Sequence, residues 1–400
     1  MLENPYDLII VGAGISGLSM AHYAARTGQR VLLLEQADRI GGSLHSHRPC
    51  GIDFWLELGA HSGFNSYGHL LGLLEAQGCL QQLCSRARVP FQILANGGLQ
   101  SIFSRLHWPE LLLSLPRLLT TRKAEKSVAE YYRTVLGHRN YTDLFGPAFN
   151  AVICQPADDF PADILFSRKP RRKDVMRSFT LPGGMQRIAI LLAQRDDIEI
   201  RTGQSVQNLH YDNAVFTLTT TDGAGYRAGT VCLATPVAVA TALLGETFPT
   251  LSRRLQTVAT VTIESLGVVV RRQALSLPPL AGIIAKDDSF FSVVSRDTVP
   301  DPSYRGFTFH FKPGRLDQAG KLHRICEVLG IAANRLEDVA GKTNRLPALR
   351  VGHRHLIQEI DSRLAGIPLA LTGNYFTGVS LEDCVMRSSK EFRRLQNKIG

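Results

Sequence analysis

The sequence lacks long apolar runs, internal repeats and low-complexity tracts. Because no run reaches about 18 consecutive apolar residues, we expect no membrane-spanning helix. The first predicted strand starts almost at once, so we expect no signal peptide before it. The seven cysteines are scattered and include no Cys-x-x-Cys pair, which argues against a disulfide framework and a zinc site. These absences predict reduced thiols and a cytoplasmic protein.

Acidic residues are outnumbered, since 35 of them stand against 45 lysines and arginines and leave a net charge of +10. This balance makes an anionic small molecule, an acidic lipid surface or nucleic acid the partners to consider. Nucleic acid is not expected, because no binding motif or interleaved aromatic platform accompanies the basic residues. His45 and His47 would share one face of a strand, but a metal needs more than two ligands, so we expect no metal.

The first 42 residues carry the strongest pattern in the chain. The short, β-branched run from Leu8 to Val11 ends at a glycine, as a buried parallel strand does. A helix is predicted from about Ile15 to Arg26, with Gly28 just beyond its end. Residues 31–34 then predict a second strand. This order of strand, turn, helix and strand is typical of a nucleotide-binding unit.

The glycines of the first turn have the spacing of a dinucleotide-binding loop. Gly12 permits the tight turn, Gly14 lets a pyrophosphate approach the backbone, and Gly17 lets helix and strand pack closely. Glu35 closes the second strand and is placed to bind an adenosine ribose. A tight turn that binds nothing is the alternative, but the setting between strand and helix favours a dinucleotide. The predicted site also includes Ala13, Ile15, Ser16 and Gln36.

A second glycine pair follows directly after the acid. Gly41 and Gly42 would allow another close approach to the same ligand, and Arg39 would add charge near the pyrophosphate. This arrangement resembles the FAD-binding signature of the flavin-containing amine oxidase superfamily, which includes monoamine oxidases, phytoene desaturases and protoporphyrinogen oxidases. Ser43 stands where that family usually has arginine, and its hydroxyl can still bond to phosphate.

Further stretches resemble the same superfamily, most closely the protoporphyrinogen and coproporphyrinogen oxidases. Residues 57–61 are similar to a stretch that runs beside the flavin ring in the family. The resemblance implies that Val206 lies by the adenine and that the small residues 234–236 pass close to FAD. The cofactor residues implied in these stretches are Gly59, Ala60, His61, Val206 and Ala234.

The C-terminal part from Leu369 to Val385 is the second strong signal. It predicts a short strand over residues 369–371, a Gly373-Asn374 turn and a helix capped by Ser380, with an apolar stripe that runs on to Ile399. In the resembled family this helix end points at the pyrimidine edge of the flavin, which implies cofactor contacts for Gly373, Asn374, Gly378 and Val379. An ordinary closing strand and helix is the alternative. The flavin-linking cysteine motif of monoamine oxidases is absent, so we expect non-covalent FAD.

Four hundred residues are more than one hydrophobic core normally organises, so two or three domains are expected. The resemblance implies an α/β fold with a Rossmann-like FAD-binding domain, an inserted β-sheet substrate domain and a helical subdomain. The predicted boundaries are 1–84, 179–257 and 348–400 for the FAD-binding domain, 85–104 and 258–347 for the substrate domain, and 105–178 for the helical subdomain. Residues 91–103 predict a hairpin, 198–206 one strand, and 321 to about 338 helix.

Two segments of the predicted helical subdomain have unusual composition. The stretch from Trp108 to Leu119 is rich in leucine and flanked by basic residues, which suits either a patch that dips into one membrane leaflet or an interior helix pair. The basic run from Ser167 to Arg177 is typical of a solvated face, and it could also meet anionic lipid or a carboxylated substrate. We therefore weigh peripheral contact with the cytoplasmic membrane face.

The resemblance implies an FAD-dependent oxidase that dehydrogenates a nitrogen-containing ring substrate and is reoxidised by dioxygen or a quinone. The first substrate hypothesis is a porphyrinogen, whose carboxylates suit the basic balance, and the second is a smaller cyclic amine or pyrroline. A non-redox flavoprotein and a tetrapyrrole carrier stay open, as does a nicotinamide dehydrogenase, which would purify colourless. His61, His310 and Lys312 are candidates by type for a catalytic base. The sequence does not determine the oligomeric state.

Overall fold

Two seven-stranded sheets dominate the structure, a computed structural model that describes residues 6–397. The strands are β1 Tyr6–Val11, β2 Val31–Leu34, β3 Ser46–His47, β4 Leu56–Glu57, β5 Gly63–Phe64, β6 Cys84–Ser85, β7 Phe91–Ala95, β8 Gly98–Ser101, β9 Ser178–Thr180, β10 Ile198–Arg201, β11 Val206–Asp212, β12 Val215–Thr220, β13 Gly225–Leu233, β14 Thr260–Arg271, β15 Gly282–Ala285, β16 Phe290–Ser295, β17 Tyr304–Phe311, β18 Leu336–Pro347 and β19 Leu369–Leu371.

The helices lie between and around these strands. They are α1 Ile15–Ala25, α2 Gly68–Ala76, α3 Trp108–Ser114, α4 Arg117–Thr120, α5 Val128–Leu136, α6 His138–Asn140, α7 Gly146–Ile153, α8 Gln186–Ala193, α9 Val237–Leu244, α10 Pro249–Gln256, α11 Gln318–Leu329, α12 His353–Leu364 and α13 Leu381–Gln396. Single turns of 3-10 helix cover Leu80–Gln82, Ile102–Arg105, Arg272–Ala274, Arg296–Thr298 and Ala333–Arg335, and Tyr141–Phe145 is a π-helical turn.

The first sheet has the parallel order β10-β2-β1-β13, and the far edge of β13 is shared by two neighbours. The end of β13 pairs with parallel β19, whereas its beginning pairs with antiparallel β12, which in turn pairs with β11. Leu8 and Ile10 of β1 face a core that includes residues of α1, α8 and α13, and Ile9 and Val11 face a core that includes residues of α9, α10 and α12. Burial on both faces explains why β1 is an unbroken apolar run. The predicted Rossmann-like α/β fold is confirmed.

The second sheet has the order β18-β14-β17-β16-β15-β7-β8. Its edge is the predicted hairpin, in which β7 pairs with β8. Phenylalanines of β16 and β17 form its core together with Ile325 and Leu329 of α11. The segment around β4 packs closely on this sheet, since a Cβ added at Gly306 would lie 2.2 Å from the Leu56 side chain. That approach brings residues 54–61 against the second sheet.

Two local predictions were wrong, each because a glycine ends an element. The helix predicted to run to about residue 338 stops at Leu329, where Gly330 has φ +67°, and residues 336–347 form strand β18. Alternating burial along β18 reflects its place at the sheet edge. The strand predicted to reach Val206 stops at Arg201, Gly203 has φ +69°, and Val206 begins β11.

Residues of α5, the π-helical turn, α7 and the segment 157–165 form a separate apolar core in which Tyr131, Phe149 and Phe160 are buried. Ser127 caps α5 with Glu130 as the reciprocal partner. The leucines of α3 and α4 lie on the surface rather than inside this core: Leu113 is 79% and Leu119 is 90% exposed. Within residues 6–397, every helix is too short or too polar to cross a bilayer.

Candidate functional site

The first glycine turn connects β1 to α1, and two of its glycines are required by the protein itself. A Cβ at Gly12 would lie 2.7 Å from the carbonyl oxygen of Ala234, and one at Gly17 would lie 1.9 Å from the carbonyl oxygen of Gly12. Gly14 differs, because a Cβ there would meet no protein atom within 4 Å. The open side of Gly14 is therefore the place where a ligand can approach the backbone.

The second glycine turn lies directly against the first. The N–H of Gly41 donates to the carbonyl oxygen of Ala13 at 2.8 Å, and Gly14 and Gly41 form an isolated β-bridge. A Cβ at Gly42 would lie 3.3 Å from the Cα of Gly14. The structure thus brings the two predicted glycine turns together, although the helix α1 separates them in sequence.

Glu35 lies at the end of β2, beside the same turn. Its Oε2 accepts the N–H of Ala13 at 2.8 Å, and its Oε1 accepts the N–H of Ala37 at 2.9 Å. A carboxylate oxygen has two acceptor sites, so both oxygens keep one for a hydroxyl group. The main-chain carbonyl of Glu35 accepts the N–H of Gln204, which brings the loop before Val206 to this edge, and Gln36 is exposed.

Two cations meet at the second glycine turn. Nη2 of Arg39 and Nζ of Lys342 donate to the carbonyl oxygen of Gly42 at 3.0 and 2.9 Å. Burial, and then the charge of Arg39, lower the pKa of Lys342 to about 8. Lys342 comes from β18 and supplies a cation beside Ser43, the position at which the resembled family usually has arginine. Sequence reasoning missed Lys342, because its segment was predicted only as a domain part and it lies 300 residues from Gly42.

The backbone continues from this turn to a histidine. The carbonyl oxygen of Ser43 accepts the N–H of Ala60 at 3.3 Å. A Cβ at Gly59 would lie 1.8 Å from the same oxygen, so only glycine permits this approach. One continuous stretch of backbone surface thus leads to His61, and we call it the floor of the site; it consists of Gly42, Ser43, Gly59 and Ala60.

His61 belongs to a hydrogen-bonded chain across the second sheet. Its Nε2 lies 3.0 Å from Nε2 of His310, whose Nδ1 lies 3.0 Å from Oγ of Ser265. Nδ2 of Asn344 donates to that Oγ at 3.3 Å and to the carbonyl oxygen of Leu58 at 3.2 Å. The structure therefore joins two residues that the sequence marked only by type.

Both imidazoles are neutral at neutral pH. Burial lowers the pKa of His310 to about 4. Burial, and then the neighbouring His310, lower the pKa of His61 well below its usual value. The third candidate, Lys312, lies just past the end of β17 and donates to the carbonyl oxygen of Asp288 at 2.7 Å, on the loop between β15 and β16.

A pocket of about 30 Å³ lies beside His61, and its lining includes Glu57, Arg86 and Arg296. Burial raises the pKa of Glu57 to about 7, while Oε1 accepts the N–H of Met185 and Oε2 accepts the hydroxyl of Ser46, both at 2.7 Å. Sequence reasoning missed this pocket. Its arginines come from a loop before β7 and from a 3-10 turn after β16, and neither stretch has a motif.

The C-terminal segment forms the predicted strand, turn and capped helix. Oγ of Ser380 accepts the N–H of Asp383 at 3.2 Å, and Oδ2 of Asp383 accepts the N–H of Ser380 at 3.1 Å, so the predicted capping box is confirmed. A Cβ at Gly378 would lie 2.4 Å from Oδ2 of Asp383. Lys169, from the basic run, pairs with the same carboxylate at 2.6 Å.

The remaining C-terminal predictions fall around this cap. Gly373 follows β19, and a Cβ there would lie 2.7 Å from the ring of Tyr375. Asn374 is half-buried, and Val379 packs against the core of the helical part. Ile399, the last residue of the predicted stripe, lies outside the described residues.

Hydrogen bonds join the two ends of the chain at this site. Oγ of Ser388 on α13 donates to the carbonyl oxygen of Ser16 at 2.9 Å and lies 2.8 Å from the hydroxyl of Thr372. Ile15 and Ser16, in the first turn of α1, are buried. The first glycine turn and the Gly373 segment are therefore held together, as a split cofactor site requires.

The residues present fit a flavin dinucleotide. Gly14 offers an open backbone, Glu35 offers acceptors for ribose hydroxyls, and Arg39 and Lys342 offer positive charge for phosphates. The floor from Gly42 to His61 continues from the phosphate end toward the histidine pair. Each of these elements is formed by the chain alone.

Comparison with known proteins gives one family and one fold. A family model described as flavin containing amine oxidoreductase matches residues 15–276. The 15-cis-phytoene desaturase of Glycine max is 34% identical over 111 residues, which are 28% of this chain and 19% of that protein, so most of the relative lies outside the match.

Solved structures match over nearly the whole chain. A provisionally named protoporphyrinogen oxidase from Exiguobacterium sp. 255-15 has a TM-score of 0.80 at 22% identity and covers 98% of both chains. A fatty acid isomerase from P. acnes has a TM-score of 0.75 at 14% identity, with 98% of this chain and 99% of that chain covered. At these identities the likeness establishes the fold.

Proposed function

This chain belongs to the flavin containing amine oxidoreductase family, and from that premise we propose that it is an oxidase that binds FAD non-covalently and dehydrogenates a nitrogen-containing ring substrate. The first substrate class is a porphyrinogen, and a smaller cyclic amine or pyrroline is the second. The observation that carries the proposal is the continuous floor from the open side of Gly14 to the neutral pair of His61 and His310. Dioxygen or a quinone is the proposed electron acceptor.

The chain supplies binding and charge for the cofactor, and bound FAD supplies the hydride acceptor. The N-terminus of α1 and the open side of Gly14 receive the pyrophosphate. The free acceptor sites of Glu35 take ribose hydroxyls. Arg39 and Lys342 offset phosphate charge at the Gly42 turn. They supply there the positive charge that Ser43, in place of an arginine, does not carry.

The histidine pair orients the substrate. If Asn344 donates to Ser265, the Ser265 hydroxyl donates to His310 Nδ1, and Nε2–H of His310 then donates to His61 Nε2. In this sequence of bonds each donor has an acceptor, and Nε2 of His61 is the acceptor, which fixes the tautomer of His61. Loss of hydride from carbon next to nitrogen leaves positive charge on the substrate. A neutral imidazole pair does not repel that charge, whereas an imidazolium would.

Anaerobic mixing with candidate substrates tests the proposal. Porphyrinogens, cyclic amines and pyrrolines are mixed with the purified protein, and the flavin absorbance near its visible maximum is followed before air or a quinone is admitted. Bleaching that reverses with the acceptor supports oxidase chemistry. A flavin spectrum that no reducing substrate changes would favour a non-redox flavoprotein or a carrier, and a colourless protein would contradict the flavin itself.

We also propose that the protein contacts the cytoplasmic membrane face through α3 and α4. Leu112, Leu113, Leu118 and Leu119 are exposed on these helices, and basic residues flank them in sequence. Exposed leucines beside cations suit an anionic bilayer surface. The basic run 167–177 contributes less, because Arg172 pairs with Glu75 at 2.7 Å and also with Asp174.

Vesicle flotation tests the membrane contact. The wild-type protein is expected to float with phosphatidylglycerol vesicles and less with phosphatidylcholine vesicles. Replacing Leu113 and Leu119 by serine should abolish flotation, while the exposed control Val351→Ser should not. Equal flotation of all three proteins would place the contact elsewhere.

A further inference from the structure

Two guanidinium groups line the small pocket beside His61. The pocket holds about 30 Å³, and Trp55, Glu57, Arg86, Arg296 and His61 are among its lining residues. Among residues 6–397, neither arginine has a carboxylate oxygen within the 4.0 Å of an ion pair. Two positive charges thus border one pocket without a direct counter-ion.

Arg296 is held rigidly in this arrangement. The guanidinium carbon of Arg296 lies 3.6 Å from the ring centroid of Trp55, and one of its terminal nitrogens donates to the carbonyl oxygen of Val299. Its Nε is buried and has no hydrogen-bond partner. A buried donor without a partner costs free energy, and this cost is recovered when an acceptor enters the pocket.

Arg86 is fixed from the other side. Its Nη2 donates to the hydroxyl of Thr298 at 3.1 Å, and the next residue, Ala87, donates its N–H to the carbonyl oxygen of Thr298 at 2.7 Å. Thr298 belongs to the same 3-10 turn as Arg296, so the two guanidinium groups share one support. Donors held in place lose little entropy when a ligand binds.

Glu57 does not cancel this charge. Its two oxygens accept the N–H of Met185 and the hydroxyl of Ser46, and its charge acts on both arginines without forming an ion pair with either. Among the lining residues, two cations and one acid leave a positive balance when Glu57 is ionised, and a more positive one when it is protonated, while Asp301 and Asp297 act on Arg296 from outside the lining. The pocket volume of about 30 Å³ is about two to three times the roughly 10–15 Å³ that one water molecule needs, so the pocket admits only a small group.

We propose that this pocket is a carboxylate subsite in which Arg86 and Arg296 bind one carboxylate of the substrate. His61 lines the same pocket, so the body of a molecule held there by its carboxylate lies next to the histidine pair. The substrate class is then a nitrogen ring compound with a carboxylate on a short arm. This assignment rests on the proposed oxidase function only for the reaction of the bound molecule, and the binding of its carboxylate does not depend on that function.

Small carboxylates provide the test. Binding of acetate and propionate to the purified yellow protein is measured by ligand-observed NMR and calorimetry, with acetamide as the neutral probe of equal shape. Wild type is expected to bind the carboxylates and not the amide. Arg86→Gln and Arg296→Gln should each weaken binding at least about tenfold, as the loss of a hydrogen bond to a charged group does. Arg296→Lys should retain part of the affinity.

Arg88→Gln is the matched control, since Arg88 is exposed and lies two residues from Arg86. Thermal unfolding reports whether each variant is folded. If Arg296→Gln does not fold, Arg86→Gln still tests the subsite. Wild-type carboxylate affinity in Arg86→Gln, or no carboxylate binding to wild type, would overturn the subsite. Carboxylate binding without flavin reduction by any ring amine would instead count against the oxidase function alone. Flavin reduction that is indifferent to a substrate carboxylate would refute the subsite alone.

Discussion

Replacing Gly14 by alanine should weaken cofactor binding without lowering the stability of the fold. Gly14 has φ −74° and ψ −179°, which alanine adopts without strain, and the new methyl group would meet no protein atom within 4 Å. The unfolded chain loses freedom on this change, so we expect the apoprotein to be unchanged or more stable by about 0.4–1 kcal/mol. The methyl group nevertheless fills the space through which a pyrophosphate reaches the backbone.

Cofactor affinity should therefore fall while stability does not. Loss of one hydrogen bond to a charged phosphate costs about 1.5–3 kcal/mol. At about 1.4 kcal/mol per factor of ten, this weakens FAD binding by about 10- to 150-fold. Gly17→Ala makes the opposite case, because its methyl group would lie 1.9 Å from the carbonyl oxygen of Gly12 and the apoprotein itself should be destabilised.

The assay uses apoprotein freed of flavin. Thermal unfolding measures its stability, and quenching of flavin fluorescence during titration measures the affinity for FAD. Gly72→Ala in α2 is the control, since a Cβ there also meets nothing within 4 Å. Wild-type FAD affinity in Gly14→Ala, or a lower unfolding temperature of its apoprotein, would refute the reasoning.

Three further changes have expected outcomes. Folding raises the pKa of Glu57 from 4.5 to about 7, so ionisation of Glu57 lowers the free energy of unfolding as pH rises through this window, by about 3 kcal/mol above pH 7. In urea denaturation, the stability of Glu57→Gln relative to wild type should therefore increase by that amount between pH 4 and pH 8. An equal stability difference at both pH values would contradict the pKa shift. His310→Gln removes the hydrogen-bond partner of His61 and should slow flavin reduction about 100-fold, measured by stopped flow at unchanged FAD content. An unchanged rate would exclude a positioning role for His310. Arg387→Met removes the buried cation between Asp361 and Glu391, which keep Lys390 and Arg394 as partners. Denaturation should therefore show a loss of about 1.5–3 kcal/mol, as the loss of hydrogen bonds to a charged group does. A loss below about 1 kcal/mol would mean that Lys390 and Arg394 compensate for the missing guanidinium.

The sequence was sufficient where the signal is local. The glycine turn at Gly12 and the capping box at Ser380 each depend on neighbours within a few residues, so their chemistry is visible in the spacing alone. The strand bounds of β2 and β19 were predicted to the residue, since buried parallel strands are short apolar runs.

Contacts across the sheets could not be predicted in the same way. His61 and His310 were named separately, but 249 residues separate them and no pattern in either segment specifies the pairing. Arg86 and Arg296 lie in stretches without a motif, and it is the packing of β4 on the second sheet that brings them to one pocket. Lys342 was hidden in a strand whose beginning was predicted to be helix. The predicted domain boundaries stay predictions.

The hydrogen bond from Ser388 to Ser16 also bears on when the protein can mature during synthesis. Helix α1 is complete early, but Leu381 and Val385 of α13, which share its core, are made more than three hundred residues later. At about 5–20 residues per second the ribosome needs roughly 20–70 s to cover that distance. During this interval the apolar face of α1 lacks the residues of α13 that share its core, so we expect the cofactor cleft to stay incomplete. We expect flavin uptake to follow the synthesis of α13, so that cofactor content reports chains translated through that helix.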